Sequence, residues 1–288
     1  MKILLTGATG FLGSHLLKFW VLQGHEVIIL KRSTSSLEKI IDYIDDIKIY
    51  NIDQIELVFQ ENLVDVVVHL ATDYGRQRSL SDLVLLNVVF TFHCIELAKK
   101  FNVKLFINTD TFFNKGILIY KYLSEYTLTK RMVEMALPSY TNKSFRIFNL
   151  KLEHVYGPND RSDKFVSQIL EKLLKNVNKI ELTEGTQKRD FIYVNDVVLA
   201  YDTVINNYNK LNKFEVIPVG TGKSVSIRQF IEELKVITQS QSDLLFGALP
   251  LRKGEFSDSF ADCKKLQKLG WEPRYNIKEG IRELIKYY

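Results

Sequence analysis

Three glycines at positions 7, 10 and 13 follow directly on the apolar stretch Lys2–Thr6, and nothing else in the chain limits its fold so tightly. A helical pattern then runs from Phe11 to Gln23, with Gly24 placed to end it, and a second apolar stretch covers Glu26–Leu30. Strand, glycine turn, helix and strand make a βαβ unit. In such a unit Gly7 permits the tight turn and Gly10 lets backbone N–H groups approach a pyrophosphate. Gly13 lets the helix pack close to the strand. Further strands are expected at Ile47–Tyr50, Asp65–Leu70 and Val103–Thr109, with a mostly apolar helix from Ser81 to Phe101 between the last two. That alternation argues for an α/β fold, a Rossmann-type doubly wound parallel sheet, with a smaller C-terminal α/β lobe. The boundary is expected near residue 155, with 190–215 returning to the first domain and 156–288 forming the lobe, a division that 288 residues can fill.

The end of the second strand bears on which dinucleotide fits. An acid there would bind the ribose 2′-OH of NAD, but Lys31-Arg32-Ser33 stands in its place. Two cations and a hydroxyl can pair with a 2′-phosphate that an acid would repel, so NADP is expected over NAD. The competing reading is a solvated strand end, where Lys and Arg are common. Phosphate-bearing ligands also account for part of the net charge of +5. The basic residues are scattered, and the densest runs, Lys130-Arg131 and Lys264-Lys265, are short and interleaved with acids, which argues against nucleic acid. Cys94 and Cys263 sit in no metal-ligand or disulfide spacing, so no metal site is expected. Met1–Leu5 lacks the long apolar core of a signal peptide, and no apolar run is expected to reach the roughly 20 residues of a membrane span. The expectation is a cytoplasmic protein. Helix 81–101 is apolar on more than one side and calls for cover by a partner subunit as well as by the sheet.

Tyr126 and Lys130 lie four residues apart in a segment that reads as a helix to about Leu137, ending at Pro138. That spacing puts phenol and ammonium on one helix face. A free phenol has a pKa near 10, and a neighbouring ammonium is expected to bring it towards neutrality. Tyr-x-x-x-Lys arises often by chance; its force here comes from following the strands at the right distance. The preceding strand ends Asn108-Thr109-Asp110-Thr111, and hydroxyls at the C-terminal end of such a strand face the ligand crevice. Thr109 is expected to hydrogen-bond the reacting oxygen, with Thr111 the alternative. The bland reading leaves both to satisfy a loop backbone.

Gly7/Gly10/Gly13, His69-Leu70-Ala71-Thr72, Asn87, Thr109 and Tyr126/Lys130 together resemble the extended short-chain dehydrogenase/reductases. The resemblance continues through Leu152-Glu153-His154-Val155-Tyr156-Gly157-Pro158, Gln187-Lys188-Arg189-Asp190-Phe191, Arg252-Lys253-Gly254-Glu255 and Leu269-Gly270-Trp271, and so covers essentially the whole chain. The stretches 69–75, 108–113 and 152–158 are similar in particular to the branch of CDP-abequose and CDP-paratose synthases. Those enzymes reduce the C4 ketone of a CDP-4-keto-3,6-dideoxyhexose with NADPH. The resemblance implies NADP binding by Gly7, Thr9, Gly10, Phe11, Leu12, Gly13, Lys31, Arg32, Ser33, Asp53, Leu70, Ala71, Thr72, Asn87, Lys130, Leu152 and His154. It implies substrate binding by Tyr74, Thr111, Lys164, Arg189 and Arg252, the two arginines gripping a pyrophosphate bidentately. In this reading Tyr126 protonates the developing alkoxide, Lys130 tunes the phenol and holds the nicotinamide ribose, and Thr109 orients the carbonyl. A homodimer through helices 81–101 and 125–137 is implied too.

Departures narrow the reading. The commoner Val-Tyr-Gly after the catalytic hydroxyl is Phe112-Phe113-Asn114 here, and Lys151 and His154 stand where many relatives have Arg and Asn. A 4,6-dehydratase would need Asp-Glu after the threonine, whereas this chain has Asp110-Thr111. A 4-epimerase would retain NAD and carry an acid near Lys31. A dTDP-4-keto-6-deoxyglucose reductase giving dTDP-fucose would need nearly the same apparatus. A non-catalytic NADP-binding scaffold would have lost the Tyr126/Lys130 pair.

Overall fold

The computed structural model describes residues 1–116, 122–252 and 254–288. The chain divides into two compact units, one made of Met1–Ile119, Leu123–Lys151 and Tyr201–Ile217, the other of Tyr120–Tyr122, Leu152–Ala200 and Pro218–Tyr288. The sequence had placed the boundary at 155 and the returning stretch at 190–215.

The first unit opens with β1 (Lys2–Thr6), α1 (Phe11–Leu22), β2 (Glu26–Lys31), β3 (Ile47–Asn51), α2 (Ile55–Glu61) and β4 (Val66–His69). It continues with α3 (Leu80–Val84), α4 (Phe90–Lys100), β5 (Leu105–Thr111), α5 (Ser124–Tyr140) and β6 (Arg146–Leu152). Ile3, Leu4, Leu5, Val27, Ile28, Ile29, Val67 and Val68 are all fully buried, as strands covered on both faces must be. β1 pairs in parallel with β2 and β4, and β4 with β5, in a register that sets Thr6 beside His69 and His69 beside Asn108. The parallel register therefore brings the residues after Thr6, Lys31, His69 and Asn108 to one edge of the sheet, where a doubly wound fold binds its ligands.

Helices α3 and α4 are joined by a π-turn at Leu85–Val89, so 80–100 is one helical run. That run, Leu80–Lys100, is long and apolar enough by length and composition to cross a membrane, contrary to the expectation that the chain had no such stretch. Its Val88, Cys94, Ile95, Leu97 and Ala98 join the core formed with Val58, Phe59, Val67, Phe106 and Val133, which is why it is apolar on more than one side. Helix α5 passes through Pro138 and ends at Tyr140, beyond the expected stop. Proline has no N–H to donate to the Glu134 carbonyl, and the helix stops two residues later.

The second unit contains β7 (His154–Tyr156), α6 (Phe165–Leu174), β8 (Lys179–Leu182), β9 (Lys188–Arg189) and β10 (Phe191–Tyr193). Helix α7 (Val194–Asn207) begins in this unit and passes at residue 201 into the first, which also holds most of strand β11 (Phe214–Val219); β12 (Val225–Ser226), α8 (Ile227–Thr238), β13 (Asp243–Phe246), α9 (Lys264–Lys268) and α10 (Ile277–Ile285) complete the second unit. Strand β11 completes a seven-stranded sheet in the order β11-β6-β5-β4-β1-β2-β3. In the second unit Phe191 and Phe230 stack at 3.8 Å, with Tyr156 edge-on to both. Two buried acids fix its loops. Asp190 accepts from the amides of Thr221, Gly222 and Ala261, and Asp196 from those of Arg274 and Tyr275.

Candidate active site

At the end of β1 the backbone leaves little room. Gly7 has φ +71°, and a Cβ there would lie 2.8 Å from the Ala71 nitrogen. A Cβ on Gly13 would meet the Gly7 oxygen at 2.1 Å. Both glycines are thus required by packing inside the first unit. Gly10 differs: an added Cβ would touch only the Gly7 oxygen, at 3.2 Å, and the residue is exposed. It is also the N-cap of α1, with no side chain capping the helix. An open helix N-terminus flanked by two close-packed glycines fits a pyrophosphate. Thr9, Phe11 and Leu12 line this turn half-buried. Lys31 is half-buried at the end of β2, its Nζ donating to the Arg32 carbonyl at 3.3 Å, while Arg32 and Ser33 are exposed. Asp53 is exposed in the capped turn after β3.

Behind this turn runs a string of buried polar side chains that sequence reasoning took only in part. Thr6 Oγ1 accepts from the Leu70 and Ala71 amides and lies 2.9 Å from His69 Nδ1. His69 Nε2 is 2.9 Å from Thr91 Oγ1, which donates to the Asn87 carbonyl in the π-turn. The Asn87 amide then accepts from Asp73 N–H and Thr72 and donates to Thr129, and Thr129 donates to the Tyr126 carbonyl. Burial, reinforced by Lys130, lowers the His69 pKa to about 3, so the imidazole is neutral. The signal that could have exposed this string is His69 ending an otherwise apolar strand and Thr91 inside the mostly apolar helical run 80–100.

The string ends at α5, whose first turn carries Tyr126, 4% exposed, and whose second carries Lys130, 5% exposed. Lys130 Nζ donates to the Thr109 carbonyl at 2.7 Å and lies 5.9 Å from the centre of the Tyr126 ring. Burial lowers its pKa to about 8, with Asp110 opposing. The phenol of Tyr126 is pushed well above its usual value by burial first, then by Tyr74 and Asp110, while a hydrogen bond with Thr111 opposes the shift. The direction is opposite to the expected lowering towards neutrality, because burial sets it. The Tyr74 ring is 4.8 Å from that of Tyr126. The two threonines part company. Thr111 Oγ1 accepts from the Phe113 amide at 3.3 Å and its hydroxyl lies close enough to oppose the upward shift of the Tyr126 phenol, whereas Thr109 Oγ1 lies 2.6 Å from the hydroxyl of the fully buried Tyr201.

In the second unit, Leu152 and His154 are half-buried, the His154 ring 4.8 Å from that of Phe191. Burial, with Arg189 and Lys164 adding, lowers the His154 pKa to about 3. Lys164 is the N-cap of α6 and half-buried. Arg189 is 3% exposed and donates to the carbonyls of Lys188 and Phe256 and to Glu255 Oε1, the last at 2.7 Å. Arg252 is exposed, its guanidinium 4.1 Å over the Tyr122 ring. Lys253, its neighbour in the sequence motif, lies outside the described residues.

Residues 3–220 match the model of the NAD dependent epimerase/dehydratase family. The chain belongs to that family. It is similar to CDP-abequose synthase of Salmonella muenchen, with 37% identity over 99% of this chain and 97% of that one. Among solved structures it resembles a UDP-glucose 4-epimerase of Thermotoga maritima with UDP-glucose, at TM-score 0.85 and 25% identity over 100% of this chain and 98% of that one. It also resembles a UDP-glucuronic acid 4-epimerase of Bacillus cereus in complex with UDP-glucuronic acid and NAD, at TM-score 0.84 and 25% identity with the same coverage. As a member of the epimerase/dehydratase family the chain is an enzyme that uses a nicotinamide cofactor.

For this family member the two arginines of the second unit are not equivalent. Arg189→Ala removes a buried cation and strands Glu255, which should cost about 3 kcal/mol of stability. Arg252→Ala, at an exposed site, should leave Tm unchanged and raise KM for a phosphate-bearing substrate. Thermal melts and initial rates on both variants check this; an Arg189→Ala protein as stable as the wild type would refute the assignment.

Proposed function

We propose that this enzyme uses NADPH to reduce the C4 ketone of a nucleotide-linked 4-keto-deoxyhexose, and specifically that it converts CDP-4-keto-3,6-dideoxyglucose to CDP-abequose. Its broader class, an oxidoreductase of nucleotide-sugar chemistry, rests on its relatives. The observation that carries the finer reading is the state of Tyr126: a buried phenol, held protonated, close to Thr111 and within reach of a buried Lys130. When bound, the cofactor supplies hydride to the carbonyl carbon. The residues here handle the proton and the oxygen. Thr111 orients the carbonyl oxygen, and Tyr126 gives up its proton as that oxygen becomes an alkoxide, a far stronger base than the ketone. Lys130, anchored on the Thr109 carbonyl, holds positive charge near the phenolate left behind. Arg252 and Lys164 serve the diphosphate, with Arg189 holding their surroundings together. Tyr74, beside Tyr126, flanks the sugar.

NADPH rather than NADH is supported by Lys31, Arg32 and Ser33 at the end of β2. A 4-epimerase is the second reading, favoured by the likeness to the two solved epimerases. A homodimer is also proposed, because the helical run 80–100 and α5 leave Leu85, Val89, Met132 and Met135 exposed, the last at 77%.

Removing only the phenolic oxygen in Tyr126→Phe should lower kcat about 10²–10⁴-fold and leave NADPH binding intact. Thr111→Val should lower kcat more than Thr109→Val does. Single-turnover NADPH oxidation decides both; a Tyr126→Phe enzyme at wild-type rate would end this reading. Calorimetric titration tests the cofactor: NADPH should bind more tightly than NADH. Lys31→Ala with Arg32→Ala should narrow the gap, each lost charge-assisted bond costing about 1.5–3 kcal/mol at most.

A further inference from the structure

Beyond Thr111 the chain turns back at Asn114, and the sequence departure noted there has a counterpart in the structure. Asn114 is buried, and its N–H donates to the Thr111 carbonyl at 3.0 Å. Its side-chain amide nitrogen donates to Asp110 Oδ2 at 3.0 Å and to Glu134 Oε2 at 2.7 Å. Its amide oxygen accepts from Arg131 Nε at 3.2 Å, and its backbone carbonyl from Lys151 Nζ at 2.9 Å. Lys151 Nζ also reaches Glu134 Oε1 at 2.8 Å and lies 3.8 Å from Asp110 Oδ2. Asp110 takes further bonds from Asn149 and the Thr111 amide, and Arg131 Nη2 donates to the Gly116 carbonyl.

Every bond in this cluster has one sense only. Arginine and lysine can only donate and ionised carboxylates can only accept, so the orientation of the Asn114 amide is fixed by its neighbours. A glycine at 114 could make none of the side-chain bonds. Arg131 and Glu134 belong to α5, the helix that carries Tyr126 and Lys130. Asp110 and Thr111 end β5, and Lys151 comes from β6. The cluster therefore ties the turn bearing Thr111 to the helix bearing Tyr126.

We propose that Asn114, with Glu134 and Lys151, is a positioning unit that sets the Thr111 hydroxyl against the Tyr126 phenol. This rests on the reading of Tyr126 as proton donor. None of the three touches the reacting atoms; they act through Thr111 and α5. A small displacement of such a pair is enough to cost on the order of 10²-fold in rate.

A polarity swap tests it. Asn114→Asp keeps the shape but turns the two donated bonds into carboxylate repulsions, and Glu134→Gln sets its amide nitrogen against either the Asn114 amide nitrogen or the Lys151 ammonium. Each alone should lower kcat by about 10²-fold, with KM and the NADPH Kd within about twofold of the wild type, and should speed hydrogen exchange at the Asn114 amide. The double variant restores a donor facing an acceptor and the original net charge, and should recover kcat to within about tenfold of the wild type. Folded single variants with wild-type kcat, or a double variant no better than the worse single, would overturn the proposal. If Asn114→Asp does not fold, Lys151→Arg should keep kcat and Lys151→Met should lose it; equal rates would overturn the proposal equally. Tyr126→Phe in the same assay separates the two claims. A rate unaffected by Tyr126→Phe defeats the proton-donor reading itself, whereas a lost rate with unaffected cluster variants defeats only the positioning role.

Discussion

A buried ammonium must find an acceptor or surrender its proton, and the first unit is arranged around how Lys130 meets that demand. It donates to the Thr109 carbonyl, at the C-terminal end of a strand that the parallel register has already brought level with β4 and β1. That bond joins the packing of Val133 and Leu137 in holding α5 against the sheet. Tyr126, one helical turn earlier, then falls beside Thr111, and the glycine turn after β1 lies on the same edge. The burial that lowers the lysine also raises the phenol, so the proposed acid is held neutral, and a weak acid of this kind yields its proton only to a strong base such as an alkoxide.

The frame of the first unit was legible because its constraints are local. Strands buried on both faces read as apolar runs, and Gly7 and Gly13 are demanded by backbone contacts within a few ångströms of their own turn. The choice between Thr109 and Thr111 was not legible. Two residues apart on a strand they project to the same side, and what separates them is Tyr201, 92 residues away in sequence from Thr109. The phenol's upward shift was missed for a similar reason. The i, i+4 spacing announces the ammonium, but the burial that sets the direction comes from elements distant in sequence. Arg189 shows the same limit, since a motif marks a cation but does not say that three protein acceptors surround it. The π-turn at Leu85–Val89 left no mark on the apolar periodicity at all.

Departures from the family pattern proved more informative than agreements. Phe112-Phe113-Asn114 and Lys151 look in sequence like two unrelated substitutions, 37 residues apart between Asn114 and Lys151. In the structure they are partners, and with Asp110, Glu134 and Arg131 they make a set of two cations and two acids beside the turn. The acid that follows Thr109 is also accounted for: Asp110 has no exposed side-chain surface and is bonded to Asn114 and Asn149. An acid so placed serves the cluster and not a substrate.

The account stands or falls on net reduction of a sugar ketone. CDP-4-keto-3,6-dideoxyglucose and NADPH incubated with the enzyme should give one NADPH consumed for each sugar and a single C4 alcohol, with the configuration of CDP-abequose by NMR. Interconversion of C4 epimers of a nucleotide sugar, with no net loss of NADPH absorbance, would contradict it.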